Sequence, residues 1–103
     1  MMSEQKNFTF YSDPGHGWMA VDRVSLLASG VAHLISSYSY QLGETVYLEE
    51  DCDAGLFMGT LGYTPQFTED YTDQESPIRH YSSFRLKTNE SCRSPVPAVS
   101  GSY

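Results

Sequence analysis

Six consecutive residues, Asp13-Pro14-Gly15-His16-Gly17-Trp18, place a carboxylate, an imidazole and an indole in a run built to turn. Imidazole takes up and releases a proton near neutral pH, and the flanking glycines let the backbone come close to a ligand. Trp18 can stack on a base or a ring. The plainer alternative is a tight hairpin in which the glycines serve turn geometry and Trp18 is core. Further on, Glu49-Glu50-Asp51-Cys52-Asp53 crowds four carboxylates around a thiol. Carboxylates this close raise one another's pKa or hold a hard cation. In alternation, Glu49 and Asp51 share one side and Glu50 takes the other. The spacing is not that of an EF-hand, and acids that favour a helix N-terminus explain the run without any metal. Cys52, between two aspartates, is expected to be a poor nucleophile.

The Asp13–Gly17 run invites comparison with the histidine motif of zinc-dependent cell-wall amidases. A catalytic zinc needs three protein ligands, and the other histidines, His33 in an apolar stretch and His80 in the last strand, do not supply them. His33 reads as a packed histidine. No Ser-His-Asp spacing, CxxC pair, phosphate-binding GxxxxGK or dinucleotide fingerprint is present, which argues against the common enzyme classes. No cofactor and no metal is assigned. Arg79 and Arg85 stand near Tyr81 without local acidic partners. One of them could pair with the Glu49–Asp53 cluster, or Arg79 with His80 could meet an anion.

The stretch from Tyr38 to Ala54 organises the elements that must position these groups. It alternates aromatic and polar residues, turns near Gly43 and resumes at Val46, delivering the acidic run to a helix start. Before it, Phe8–Tyr11 and Trp18–Val21 read as a hairpin, and Asp22 caps a helix over Arg23–Ser29 with Val24, Leu27 and Ala28 inward. Ser36–Gln41 and Thr45–Glu49 read as paired strands. Asp51 or Asp53 caps a second helix with Leu56, Phe57, Thr60 and Leu61 inward, stopped by Gly62. Pro65–Thr68 reads as a short strand or a crossing, Glu69–Ser76 as a polar loop and Ile78–Leu86 as a last strand. The first seven residues read as flexible, residues 8–86 as the domain, and the Ser/Pro-rich stretch 87–103 as a disordered tail. The expected architecture is a single small α+β domain, an antiparallel sheet of four or five strands with two short helices on one face.

The chain has 103 residues, one domain by length, and a formal charge of −7. There is no Lys or Arg between Arg23 and Arg79. Duplex nucleic acid and anionic membranes are therefore poor partners. No signal or spanning segment is read, so the expected location is cytoplasmic, with free thiols; Cys52 and Cys92 can pair only if the fold brings them together.

Phe10-Tyr11-Ser12-Asp13-Pro14-Gly15-His16-Gly17-Trp18, Ile35-Ser36-Ser37-Tyr38-Ser39-Tyr40, Tyr47-Leu48-Glu49-Glu50-Asp51-Cys52-Asp53-Ala54 and Ser76-Pro77-Ile78-Arg79 resemble an uncharacterised family of small bacteriophage and mobile-element proteins. The resemblance spans about Phe8 to Arg85. It implies a setting, an infected bacterial host cell, and no catalytic residues. The expectation is a non-enzymatic protein that binds and inhibits or sequesters a host component, such as part of a defence system. Its eight tyrosines suit such a surface, with Trp18, Tyr38, Tyr40, Tyr47 and Tyr81 as anchors. The alternative is a small-molecule, nucleotide or metal site, hydrolytic in one form, built from Asp13, His16, Glu49, Glu50 and Asp51. A third class, a virion assembly protein, would require a defined oligomer.

Overall fold

The computed structural model describes residues 7–87. The expectations for the first six residues, for the stretch beyond Lys87 and for Cys92 lie outside the described residues. The strands are β1 (Asn7–Ser12), β2 (Gly17–Asp22), β3 (Tyr40–Leu42), β4 (Thr45–Glu49), β5 (Gln66–Tyr71) and β6 (Ser82–Ser83), with helices α1 (Arg23–Ser29) and α2 (Ala54–Met58). Short 3₁₀ turns occupy Ala32–Leu34 and Pro77–His80. The six strands form one sheet in the order β5-β1-β2-β4-β3-β6. Every pair is antiparallel except β1·β5, which is parallel.

Alternation and register divide the sheet into two faces. Met19 lies opposite both Phe10 and Leu48, and Val21 opposite Val46. These residues, with Phe8, make the core together with Leu26 of α1 and Ala54 and Phe57 of α2. Both helices therefore cover the same face, as expected. Each fully buried aliphatic or aromatic side chain contributes about 1.5–3 kcal/mol to the burial that holds this layer together. The opposite face carries Tyr11, Trp18, Ala20, Tyr40, Tyr47 and Glu49, because Trp18 is in register with Tyr11 and Glu49, and Tyr47 with Ala20 and Tyr40. Four of the candidate residues, Trp18, Tyr40, Tyr47 and Glu49, share this second face.

Several boundaries differ from the sequence reading, each for a local reason. Ser36–Gln41 is not a strand: Ser39 N closes a turn on Ser36 O, and pairing begins at Tyr40. Glu69–Tyr71 is not loop, because β5 runs on beside β1 from Asn7↔Gln66 to Ser12↔Tyr71. Ile78–Leu86 is not a continuous strand. Pro77 starts a 3₁₀ turn in which Ser76 Oγ accepts from Ile78 N, leaving only Ser82–Ser83 to pair with β3. In α1 Leu26 is the fully buried apolar residue and Leu27 packs partly against the core as expected, while Val24, 70% exposed, and Ala28 face outward. Asp22 and Asp53 occupy the N-cap positions of the helices, yet neither carboxylate caps its helix. α2 ends at Gly59 rather than Gly62.

Two turns depend on glycine. Gly30 ends α1 in the left-handed region, with its N–H donating to Leu27 O. Gly43, with φ +61, is the first central residue of the two-residue β3–β4 loop. Its positive φ without one at Glu44 is the pattern of a II′ hairpin turn. The tight connection delivers β4, and with it Glu49, back alongside β2.

Candidate functional site

The β1–β2 loop is held by Asp13. Its Oδ1 accepts from Gly15 N at 3.0 Å and His16 N at 2.9 Å, and Asp13 N donates to His16 O. The same carboxylate takes a two-pronged contact from Arg79, Nε to Oδ2 at 2.6 Å and Nη2 to Oδ1 at 2.9 Å. Ser76 N adds a further bond to Oδ2 at 2.9 Å. The Arg79 guanidinium, against the cost of burial, and the three backbone N–H donors hold the Asp13 carboxyl far below the usual carboxylate range. Arg79 thus pairs with Asp13 and not with the Glu49–Asp53 cluster. Asp13 is buried, so its role is to shape the loop and not to touch a ligand.

His16 rides on this fixed loop with its side chain 49% exposed. Its Nδ1 lies 3.8 Å from Oε2 of Glu49, at the end of β4. Glu49 is itself positioned from two sides. Its Oε1 accepts from Asp51 N at 2.9 Å and Cys52 N at 2.8 Å, and its backbone N–H donates to Ser39 Oγ at 2.9 Å. Ser39 Oγ donates in turn to Oδ2 of the buried Asp53, which also takes Ser36 Oγ and N. Asp53 therefore ties the 36–39 turn to the loop after β4, instead of capping α2. That turn carries Tyr38 and leads into Tyr40.

The result is a concave cleft of about 240 Å³, lined by His16, Trp18, Tyr38, Tyr40, Glu49, Asp51 and Cys52. Trp18 and Tyr40 meet edge to face at 6.2 Å between centroids, and His16 lies 6.0 Å from the Trp18 ring. Trp18 is 1% exposed, so it is a cleft wall and not the free stacking platform the sequence suggested. Its indole Nε1 is buried without a hydrogen-bond partner among the described residues. Tyr38, by contrast, is 66% exposed at the rim. Desolvation and the Glu49, Asp53 and Asp51 carboxylates push the Cys52 thiol up, in line with a poor nucleophile.

Six of the residues singled out from the sequence thus meet in one cleft, and five lie elsewhere. Asp13 and Arg79 form the support beneath the loop. Glu50 turns to the opposite side, near Gly17 and Phe10, and borders a separate hollow with Met58 and Phe67. Tyr47 and Tyr81 pack on one another at 5.4 Å and, with Tyr11, line another hollow. Burial there, then the neighbouring Tyr81 and Tyr11, raises the Tyr47 phenol. His80 pairs with Glu75 at 3.1 Å, and His33 is exposed rather than packed. Among the described residues, no three His, Cys, Asp or Glu side chains are grouped to hold a metal. The sequence reading missed the Ser36–Ser39–Asp53 network and the place of Cys52 in the lining. The network is a contact between two segments, and no local pattern signals it.

No helix among the described residues is long and apolar enough to cross a membrane. Comparison of the chain with protein-family models, with curated proteins and with solved structures finds no match.

Proposed function

We propose that this is a small acidic phage-type protein that captures a protein partner in the His16–Glu49 cleft, and so inhibits or sequesters a host component without catalysis. One observation carries the reading. Residues from the β1–β2 loop, β2, the 36–40 segment and the end of β4 converge on one concavity that combines exposed aromatic surface with carboxylates. Tyr and Trp are the side chains that most often anchor protein interfaces, because they bury large area at small entropic cost. The host setting rests on the family resemblance.

Affinity capture of the tagged protein from lysate of its bacterial host tests this, run beside Tyr38→Ala and Asp51→Asn. Both positions are exposed, so the variants keep the fold. A stoichiometric protein held by the parent and lost from both variants is the expected result. A protein retained equally by all three would overturn the assignment of the surface.

The His16–Glu49 pair favours a second reading, a small-ligand site with hydrolytic capacity. A carboxylate beside an imidazole is the arrangement that orients a general base. In this reading a nucleotide raises the melting temperature by mass action, and His16→Ala removes the shift. No shift at millimolar nucleotide would count against it.

A further inference from the structure

We infer that the cleft is built to take a cationic side chain, and that the partner's anchor is an arginine. This deepens the proposal above and rests on the cleft being the binding surface. Among the described residues, two carboxylates line the cleft, Glu49 and Asp51, and no lysine or arginine does. Arg79, which lies against the Trp18 ring, is tied to Asp13 by a two-pronged contact. The chain as a whole carries a formal charge of −7, which adds to the negative potential at the cleft.

The carboxylates differ in role. Glu49 is nearly buried, with 10% of its side chain exposed, and Oε1 is occupied by the two backbone donors that fix its orientation. Oε2 is the oxygen turned towards His16 Nδ1, at 3.8 Å, longer than a hydrogen bond. It is a preorientated acceptor. Asp51 stands exposed two residues on and can swing to meet a second N–H. Tyr38, exposed at the rim, and the half-buried Tyr40 supply ring surface beside the carboxylates in the same cleft. Carboxylate acceptors beside aromatic rings are the combination that binds a guanidinium, whose flat face lies on a ring while its edge donates.

The fold already contains one such arrangement. Arg79 Cζ sits 5.9 Å from the Trp18 ring centroid while its nitrogens are held by the Asp13 carboxylate. The cleft brings together the same ingredients, carboxylates beside aromatic rings.

Trp18 is the chain's single tryptophan, so its fluorescence reports the cleft directly. The probes are acetyl-Gly-Arg-Gly-amide and the same peptide with citrulline, which keeps the shape and removes the charge. The expected result is a saturable change with the arginine peptide and binding about tenfold weaker with citrulline, the scale of a cation–π contact joined to a charge-assisted hydrogen bond. Asp51→Asn and Tyr38→Ala should each weaken the arginine peptide several-fold with unchanged melting curves. Equal binding of the two peptides, or affinity indifferent to both variants, would overturn the inference. If host capture still yields a partner lost from Tyr38→Ala, the binding function stands and only the arginine anchor falls. Arginine selectivity with no captured protein would leave the cation site standing and remove the protein partner.

Discussion

At the residue scale, the strongest electrostatic feature lies beneath the cleft and not in it. Asp13 is buried and accepts five hydrogen bonds from four residues, so replacing it leaves Arg79 and three backbone N–H groups without their acceptor. Losing one partner of a fully buried pair costs about 3–5 kcal/mol, and the 30% exposure of the Arg79 side chain lets water recover part of that. Asp13→Ala is therefore expected to lose about 2–3 kcal/mol in chemical denaturation. Its folded carboxyl is held well below the unfolded value of about 3.9. The stabilisation is then fully present above that unfolded value and falls away as pH drops below it, towards the depressed folded pKa. The stability gap between the parent and Asp13→Asn should be flat from neutral pH to about pH 5 and should narrow below about pH 4. A gap that stays constant to acid pH would mean that the charge of Asp13 is not what holds the loop. Cys52 gives a second test at this scale. Its thiol is pushed up by desolvation and by the surrounding carboxylates, so alkylation at about pH 8 should be slower than that of a free cysteine peptide, and Asp51→Asn should speed it.

At the element scale, the sequence shows the sheet wherever one strand alone carries the pattern. Phe8–Tyr11, Trp18–Val21 and Thr45–Glu49 are strands because alternating side chains reveal two faces, and all three appear close to the expected bounds. β5 is different: all six of its residues are exposed, so nothing in Gln66–Tyr71 distinguishes strand from polar loop. Only its parallel pairing with β1 makes it regular, and that partner lies far away in sequence. Tyr81 and Arg79 alternate convincingly, yet Pro77 and the Ser76 hydroxyl win the local competition and wind the segment into a 3₁₀ turn. The cleft was legible in its members and not in its assembly. Alternation correctly separated Glu49 and Asp51 from Glu50, while the pairing of Arg79 with Asp13 required two distant segments to meet. Two glycines test the packing between elements in opposite directions. A Cβ on Gly17 would stand 2.5 Å from Phe10 Cζ, in the core-facing layer, so Gly17→Ala should destabilise by about 1–3 kcal/mol. A Cβ on Gly55 in α2 would meet nothing within 4 Å among the described residues, so Gly55→Ala should stabilise by about 0.5–1 kcal/mol through helix propensity. Paired thermal melts decide both, and a shared sign would contradict the packing described for one of them.

At the scale of the whole molecule, the two edges of the sheet differ in what they offer another chain. β6 is only two residues long, while β5 presents six residues whose sole neighbour among the described residues is β1. An exposed strand edge invites pairing, and Phe67 and Tyr71, 39% and 60% exposed, add apolar surface to it. Against this stand Glu69 and Asp70, adjacent in the strand and so placed on both of its faces. Two copies meeting edge to edge bring these acids together, in a chain already carrying −7, and repulsion outweighs the gain from a few backbone hydrogen bonds. The parent is thus expected to sediment as a monomer at physiological salt. Glu69→Gln combined with Asp70→Asn keeps the shape and removes both charges, and should produce concentration-dependent dimers that leave the His16–Glu49 cleft open. A parent that forms a defined oligomer would reverse the argument, giving weight to an assembly role. A neutralised variant that stays monomeric would show that β5 is kept from pairing by something other than charge.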